Sequence, residues 1–292
     1  MKKLFAGILP VLLLFGCKTD LPQADAWGNF EADEIIVSSE STGKLLQFHV
    51  EEGTRVKKGE PAGLQDTTDA VLKIRQLKSQ KRSVAANTEQ IDAQLEVYRQ
   101  QLANLEKDHQ RISSLLSSGA ATQKQLDDIE GQMELIEKQL QAAGTQKQVI
   151  MSQLQVIDDQ IAQAEEMYRR CFIRNPADGT VLNTFVHEGE WIPAGKPLYK
   201  MAALDEIWLR VYISGKQLPE VALGQKVTVL VDSPDQGLQE FPGTIAWISD
   251  KAEFTPRIIQ TREERVNLVY AVKIKVPNDG TLKIGMPGEV KF

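Results

Sequence analysis

The chain has 292 residues, room for two ordinary domains or several small ones, with 42% hydrophobic and 25% charged residues. Its formal net charge of −6 lacks the basic surplus a nucleic-acid partner requires, so none is expected. Two cysteines, Cys17 and Cys171, exclude a disulfide framework, and the three histidines do not cluster with acids or cysteines at metal-ligand spacing. Neither a metal nor a cofactor is expected, and without a nucleophile–base pair or a phosphate loop no enzymatic activity is expected either.

At the N-terminus, Lys2 and Lys3 precede an apolar run from Leu4 to Phe15. Interrupted by Pro10, it is too short to cross a hydrocarbon core of about 30 Å, and the pattern is that of a secretory signal. The tetrapeptide Leu14-Phe15-Gly16-Cys17 resembles a bacterial lipobox, whose cysteine becomes the lipidated first residue. Residues 1–17 are therefore expected to be a lipoprotein signal peptide with lipid on Cys17, and residues 18–27 a short tether. Lys18 leaves open which membrane holds the anchor.

A glycine-and-valine pattern follows: Gly43, Val50, Gly53, Val56 and Gly59. It returns 136 residues later as Gly179, Val186, Gly189, Ile192 and Gly195. Both copies contain a short apolar run, 45–50 and 181–186, followed by a turn whose glycine, Gly53 or Gly189, suits a positive φ. This spacing predicts one small β-domain cut in half, with halves at 38–69 and 169–204 and an N-terminal strand at 28–37.

Between the copies, apolar residues recur at alternating spacings of three and four. One arm reads Ile74, Leu77, Val84, Ile91, Leu95, Leu102 and Leu105; the other reads Met133, Ile136, Leu140, Ile150, Leu154, Ile157 and Ile161. Sustained heptads interrupted at 117–121 by Ser117-Ser118-Gly119-Ala120-Ala121 predict an antiparallel coiled-coil hairpin over 70–168. Each arm would span roughly 70 Å. Lys81, His109 and Lys147 fall on the seam, where the lysines are expected to set register by snorkelling outward. After residue 204, alternating segments 207–213, 224–229, 241–245 and 269–276 with Gly/Pro punctuation predict a small antiparallel barrel over 205–292. The fold class is thus α+β and multi-domain.

The two half-motifs resemble the lipoyl/biotinyl fold, a flattened β-sandwich of two similar halves. Carriers of that fold present a modified lysine where the halves join. Here 65–69 and 175–178 flank the expected junction and hold no lysine, which argues against a lipoyl or biotinyl carrier. A lipoyl-like sandwich split by a coiled-coil hairpin, on an exported and lipidated chain, resembles the HlyD-type periplasmic adaptors, also called membrane fusion proteins. The resemblance covers about Gly28 to Phe292; the stretches 252–257 and 260–265 look closest to adaptors of ABC-type exporters, and the ending Gly285-Met286-Pro287-Gly288-Glu289-Val290 also matches the family. With the chain ending at Phe292, a further membrane-proximal domain as in resistance-nodulation adaptors is not expected.

The resemblance implies a membrane-anchored protein of the bacterial periplasm. It would link an inner-membrane permease to an outer-membrane channel, associate into a homo-oligomeric ring, and place the strand at 28–37 in the barrel. It implies channel contact at the hairpin tip through Arg111, Leu115 and Thr122, although Thr122 also reads as a helix cap ahead of Lys124-Gln125. It implies a transporter-facing role for Arg257, Arg262 and Arg265. A coiled-coil scaffold of the envelope without transport is the alternative.

Overall fold

The computed structural model describes residues 24–233, 237–254 and 268–292. Cys17, Arg257, Arg262 and Arg265 lie outside the described residues. Two compact units form: residues 35–201, and residues up to 34 together with 202–292.

The first unit is the split sandwich with its hairpin. Its first half contributes β2 (Glu34–Ser38), β3 (Gly43–Phe48), β4 (Arg55–Val56) and β5 (Pro61–Gln65). The second half contributes β6 (Phe172–Arg174), β7 (Gly179–Thr184), β8 (Trp191–Ile192) and β9 (Pro197–Ala202). Between them run two long helices, α1 (Thr68–Ser117) and α2 (Gln123–Arg170). The sheets are ordered β2-β9-β7-β4 and β6-β5-β3-β8, so each takes two strands from each half. Shifting residue numbers by 136 turns one sheet into the other.

The hydrogen bonds obey the same exchange. The amide of Gly53 donates to Val181 at 2.9 Å, and that of Gly189 donates to Leu45 at 2.8 Å. Gly53 and Gly189 have φ of 82° and 92°, which a side chain would strain. Leu45, Val181, Val186, Ile192, Leu198 and Tyr199 form a buried core drawn from both halves.

In the hairpin, the least exposed positions are the heptad positions. Leu77, Leu95, Ala143, Ile150, Ile157, Ile161 and Ala164 are buried, and the residues flanking them on the outer faces are mostly exposed. Three polar cross-links fix the register: Lys81 with Asp158 at 2.6 Å, Lys147 with Asp92 at 2.6 Å, and His109 with Glu130 at 3.2 Å. The residue numbers in each pair add to 239, as an antiparallel pair turning at Gly119–Ala120 requires. The seam lysines thus reach a carboxylate on the opposite arm rather than solvent alone.

The second unit is a closed six-stranded antiparallel barrel. Its strands are β1 (Ala26–Glu31), β10 (Glu206–Ser214), β11 (Lys226–Asp232), β12 (Leu238–Ile248), β14 (Leu268–Pro277) and β15 (Pro287–Lys291). The order β10-β1-β15-β11-β12-β14 closes through β10–β14 pairing, and the short β13 (Glu253–Phe254) pairs with β14. Alternation along β10 buries Ile207, Leu209, Val211 and Ile213 against Phe30, Val229, Ile245 and Ile274. Gly28 is required here, since a Cβ would lie 1.7 Å from the carbonyl oxygen of Arg210.

Some boundaries differ from the sequence reading. The single strand expected at 28–37 is two strands: β1 enters the barrel, whereas β2 joins β9 in the sandwich. Phe30 faces the barrel core and Val37 packs on the sandwich core, so the break at Ala32–Asp33 separates two hydrophobic environments. The tether expected to reach residue 27 ends sooner, because Ala24 is buried and Asp25 already donates its amide to Val290. The helices extend beyond 70–168, and the turn comprises residues 118–122.

Candidate functional site

The features that could engage partners are the hairpin tip and the joint at its root. At the tip, α1 ends in a Schellman arrangement: the amide of Gly119 bonds to Leu116 and that of Ala120 to Leu115, with Gly119 at φ 78°. After the turn, Thr122 caps α2. Its hydroxyl accepts from the Gln125 amide at 3.4 Å, and the Gln125 side chain accepts from the Thr122 amide at 2.8 Å. This capping box satisfies two helix-end donors reciprocally.

Arg111 projects into solvent and pairs only with Asp108, one turn earlier, at 3.0 Å. Leu115, one turn further on, leaves 40% of its surface exposed although it adjoins an apolar seam. Arg111 and Leu115 therefore share one face of α1, four residues apart. Thr122 stands across the turn with its hydroxyl engaged in the cap. The tip can supply a cation, an apolar contact and backbone groups to a partner, and holds no constellation for covalent chemistry.

The root is a polar lock that sequence reasoning missed. Gln65 ends β5 and is wholly buried; its side-chain oxygen accepts from Ser39 at 2.9 Å and from the Ser41 hydroxyl, and its amide donates to the Ser41 carbonyl. Asp66 then caps the start of α1, accepting from the Thr68 amide at 2.9 Å and its hydroxyl at 2.6 Å. These bonds hold the Asp66 carboxyl below the usual carboxylate range. At the C-terminal end, Arg169 and Arg170 both bind Glu166, lowering its pKa likewise. The one available signal is the 136-residue repeat, which pairs Ser39 with Asn175, the other buried polar position of the sandwich.

The first flank of the junction lies at 65–69 as expected, and the second lies elsewhere. β5 pairs with β6 directly, and the amide of Gln65 donates to Cys171, so the hairpin is inserted between Gln65 and Phe172. Residues 175–178 instead form the turn between β6 and β7, because α2 runs on to Arg170. No lysine stands between Gln65 and Ala70 or between Tyr168 and Phe172. Among the described residues, no group of three or more His, Cys, Asp or Glu side chains is placed to hold a metal ion. No described helix is long and apolar enough to cross a membrane.

No family model matches the chain. A UPF0194 membrane protein of Acidithiobacillus ferridurans is 28% identical over 290 residues, covering 89% of this chain and 84% of the relative. Another, from Yersinia enterocolitica, is 26% identical over 327 residues, covering 100% of this chain and 98% of the relative. Among solved structures, MacA from Actinobacillus actinomycetemcomitans aligns with a TM-score of 0.60 at 22% identity, covering 91% of this chain and 76% of that one. The chain is thus similar along its length to UPF0194 membrane proteins and has the fold of the membrane fusion proteins that its sequence resembles.

Proposed function

We propose that this chain is the periplasmic adaptor subunit of a bacterial export system, joining an inner-membrane exporter of the ABC type to an outer-membrane channel. The observation that carries this reading is the insertion itself. A sandwich of the lipoyl type holds a hairpin of about 75 Å at the joint between its halves, where a carrier would present its lysine. Such a rod has reach, and the space along it is an open groove beside Ile74, Lys81 and Ile161 rather than an enclosed pocket, which suits bridging; the chain acts as a connector and not as an enzyme. Lipid on Cys17 anchors it, and copies associate in a ring. Arg111, Leu115 and Thr122 contact the channel; Arg257, Arg262 and Arg265 face the transporter.

The test is a deletion strain carrying either the wild-type gene or an Arg111→Asp or Leu115→Ser variant. Deletion is expected to raise intracellular dye or drug, and each variant to do the same while remaining folded and membrane-bound. Normal efflux in the deletion strain overturns the transport reading and favours an envelope scaffold. Normal efflux in the variants alone overturns the assignment of the tip. Cys17→Ala is expected to abolish incorporation of labelled palmitate.

A further inference from the structure

The two flanks of the hairpin differ in charge. Take the seam residues as positions a and d of a heptad, with Lys81, Leu95 and His109 at a in α1 and Leu140, Lys147 and Leu154 at a in α2. The three cross-hairpin lysine–carboxylate pairs and the His109–Glu130 hydrogen bond among the described residues then all use position e: Asp92, Glu130, Asp158 and the pair Lys78–Glu165. The opposite flank is nearly free of charge. At positions c, f and g, α1 carries no charged residue from Gln76 to Asn104, and α2 carries only Lys138 and Asp159 from Gly131 to Gln160.

Within that flank α2 bears an apolar stripe at c. Leu135, Val149 and Val156 are 58%, 45% and 55% exposed, spread over roughly 30 Å of helix. Apolar side chains repeating in sevens on an outer face fit another helix of the same supercoil. The level of each position says which helix. Opposite c positions obey the sum of 239 that fixes the hairpin register, so Val156 stands level with Ser83, Val149 with Gln90 and Ala142 with Val97. Copies related by rotation alone stand at one height. The apolar edge of α2 in one copy would then meet the uncharged edge of α1 in the next without any lengthwise shift. Neither edge brings a charge that would need desolvation, and such a head-to-tail contact closes into a ring.

We infer that the α2 edge around Val149 and Val156 packs on the α1 edge around Ser83 and Val97 of a second copy, side by side along the hairpins. This rests on the ring reading above and names the surface that builds it.

The test uses the full chain, membrane-bound or in detergent, in a Cys171→Ser background carrying both Gln90→Cys and Val149→Cys. Mild oxidation is expected to give a ladder of disulfide-linked multimers on non-reducing gels. Neither single-cysteine variant should give that ladder, and adding Val156→Glu to the pair should abolish it. An assembly that light scattering detects but that yields no ladder overturns this surface and leaves the ring standing. Ladders from the single variants also overturn it. A monomer at all concentrations overturns both this surface and the ring.

Discussion

Tyr199 is the largest fully buried side chain among the described residues, and its counterpart 136 residues earlier is Gly63. At this position the pseudo-symmetric core is therefore filled from the second half. A Cβ on Gly63 would lie 2.7 Å from the backbone oxygen of Gln47 and 3.3 Å from Phe48 and Ile173. Gly63→Ala is expected to cost about 1–3 kcal/mol through overpacking, seen as a lower denaturant midpoint at unchanged slope. The Tyr199 hydroxyl donates to the Asn175 side chain at 2.6 Å, and Asn175 is itself buried. Tyr199→Phe leaves that oxygen without its donor, a loss of about 1–3 kcal/mol. Burial also pushes the Tyr199 hydroxyl up to about 12 from an ordinary value near 10. A raised folded-state pKa gives a contribution that is complete below pH 10 and lost as pH climbs through 12. The advantage of wild type over Tyr199→Phe in thermal melts should accordingly narrow between pH 10 and pH 12.

At the scale of elements, the hairpin was the most legible part of the sequence, for a physical reason. A two-helix rod has one narrow seam, so every third or fourth residue is buried and the rest are wet, and the period shows without further context. Ile150, Ile157 and Ile161 are buried where the heptad puts them. The partners of Lys81, His109 and Lys147 on the seam were not legible, since Asp92, Glu130 and Asp158 are unremarkable acids until the turn fixes the sum of 239. The segment 28–37 misled because Ala32-Asp33 carries neither glycine nor proline, so it reads as one continuous strand across two that enter different cores. At the tip, Thr122 is a cap by geometry, and a cap of this kind is worth about 1 kcal/mol. Thr122→Ala should speed hydrogen exchange of the amides of 123–126, and Thr122→Ser should not. If Thr122→Ser nevertheless impairs export, the methyl group contacts the channel; if only Thr122→Ala impairs it, the residue acts through the helix end.

At the scale of the molecule, the repeat read from glycines and valines is one interleaved domain, since neither half contains a complete sheet. β3 pairs with β8 of the other half, and β4 with β7, so every inner strand depends on chain from beyond the hairpin. The hydrophobic clusters say the same: Leu45 and Val50 are buried in one cluster with Val181, Val186, Ile192 and Leu198. Continuity through the tip is therefore dispensable once both halves are present, because Gly119 and Ala120 make only local bonds. Fragments 1–119 and 120–292, co-expressed, should purify as a one-to-one complex with a cooperative thermal transition close to that of the intact chain. Each fragment alone should lack a folded sandwich, although the barrel strands β10 to β15 remain on the longer one. A cooperative, independently folded 35–119 fragment would contradict the interleaving. The paired arms α1 and α2 bring the halves together at high effective concentration, so shortening both arms by whole heptads from the tip should weaken fragment association progressively. The intact chain, whose halves are joined covalently, should tolerate the same shortening of its rod with little change in sandwich stability. That contrast separates the rod's role in assembling the sandwich from its role in reaching a partner.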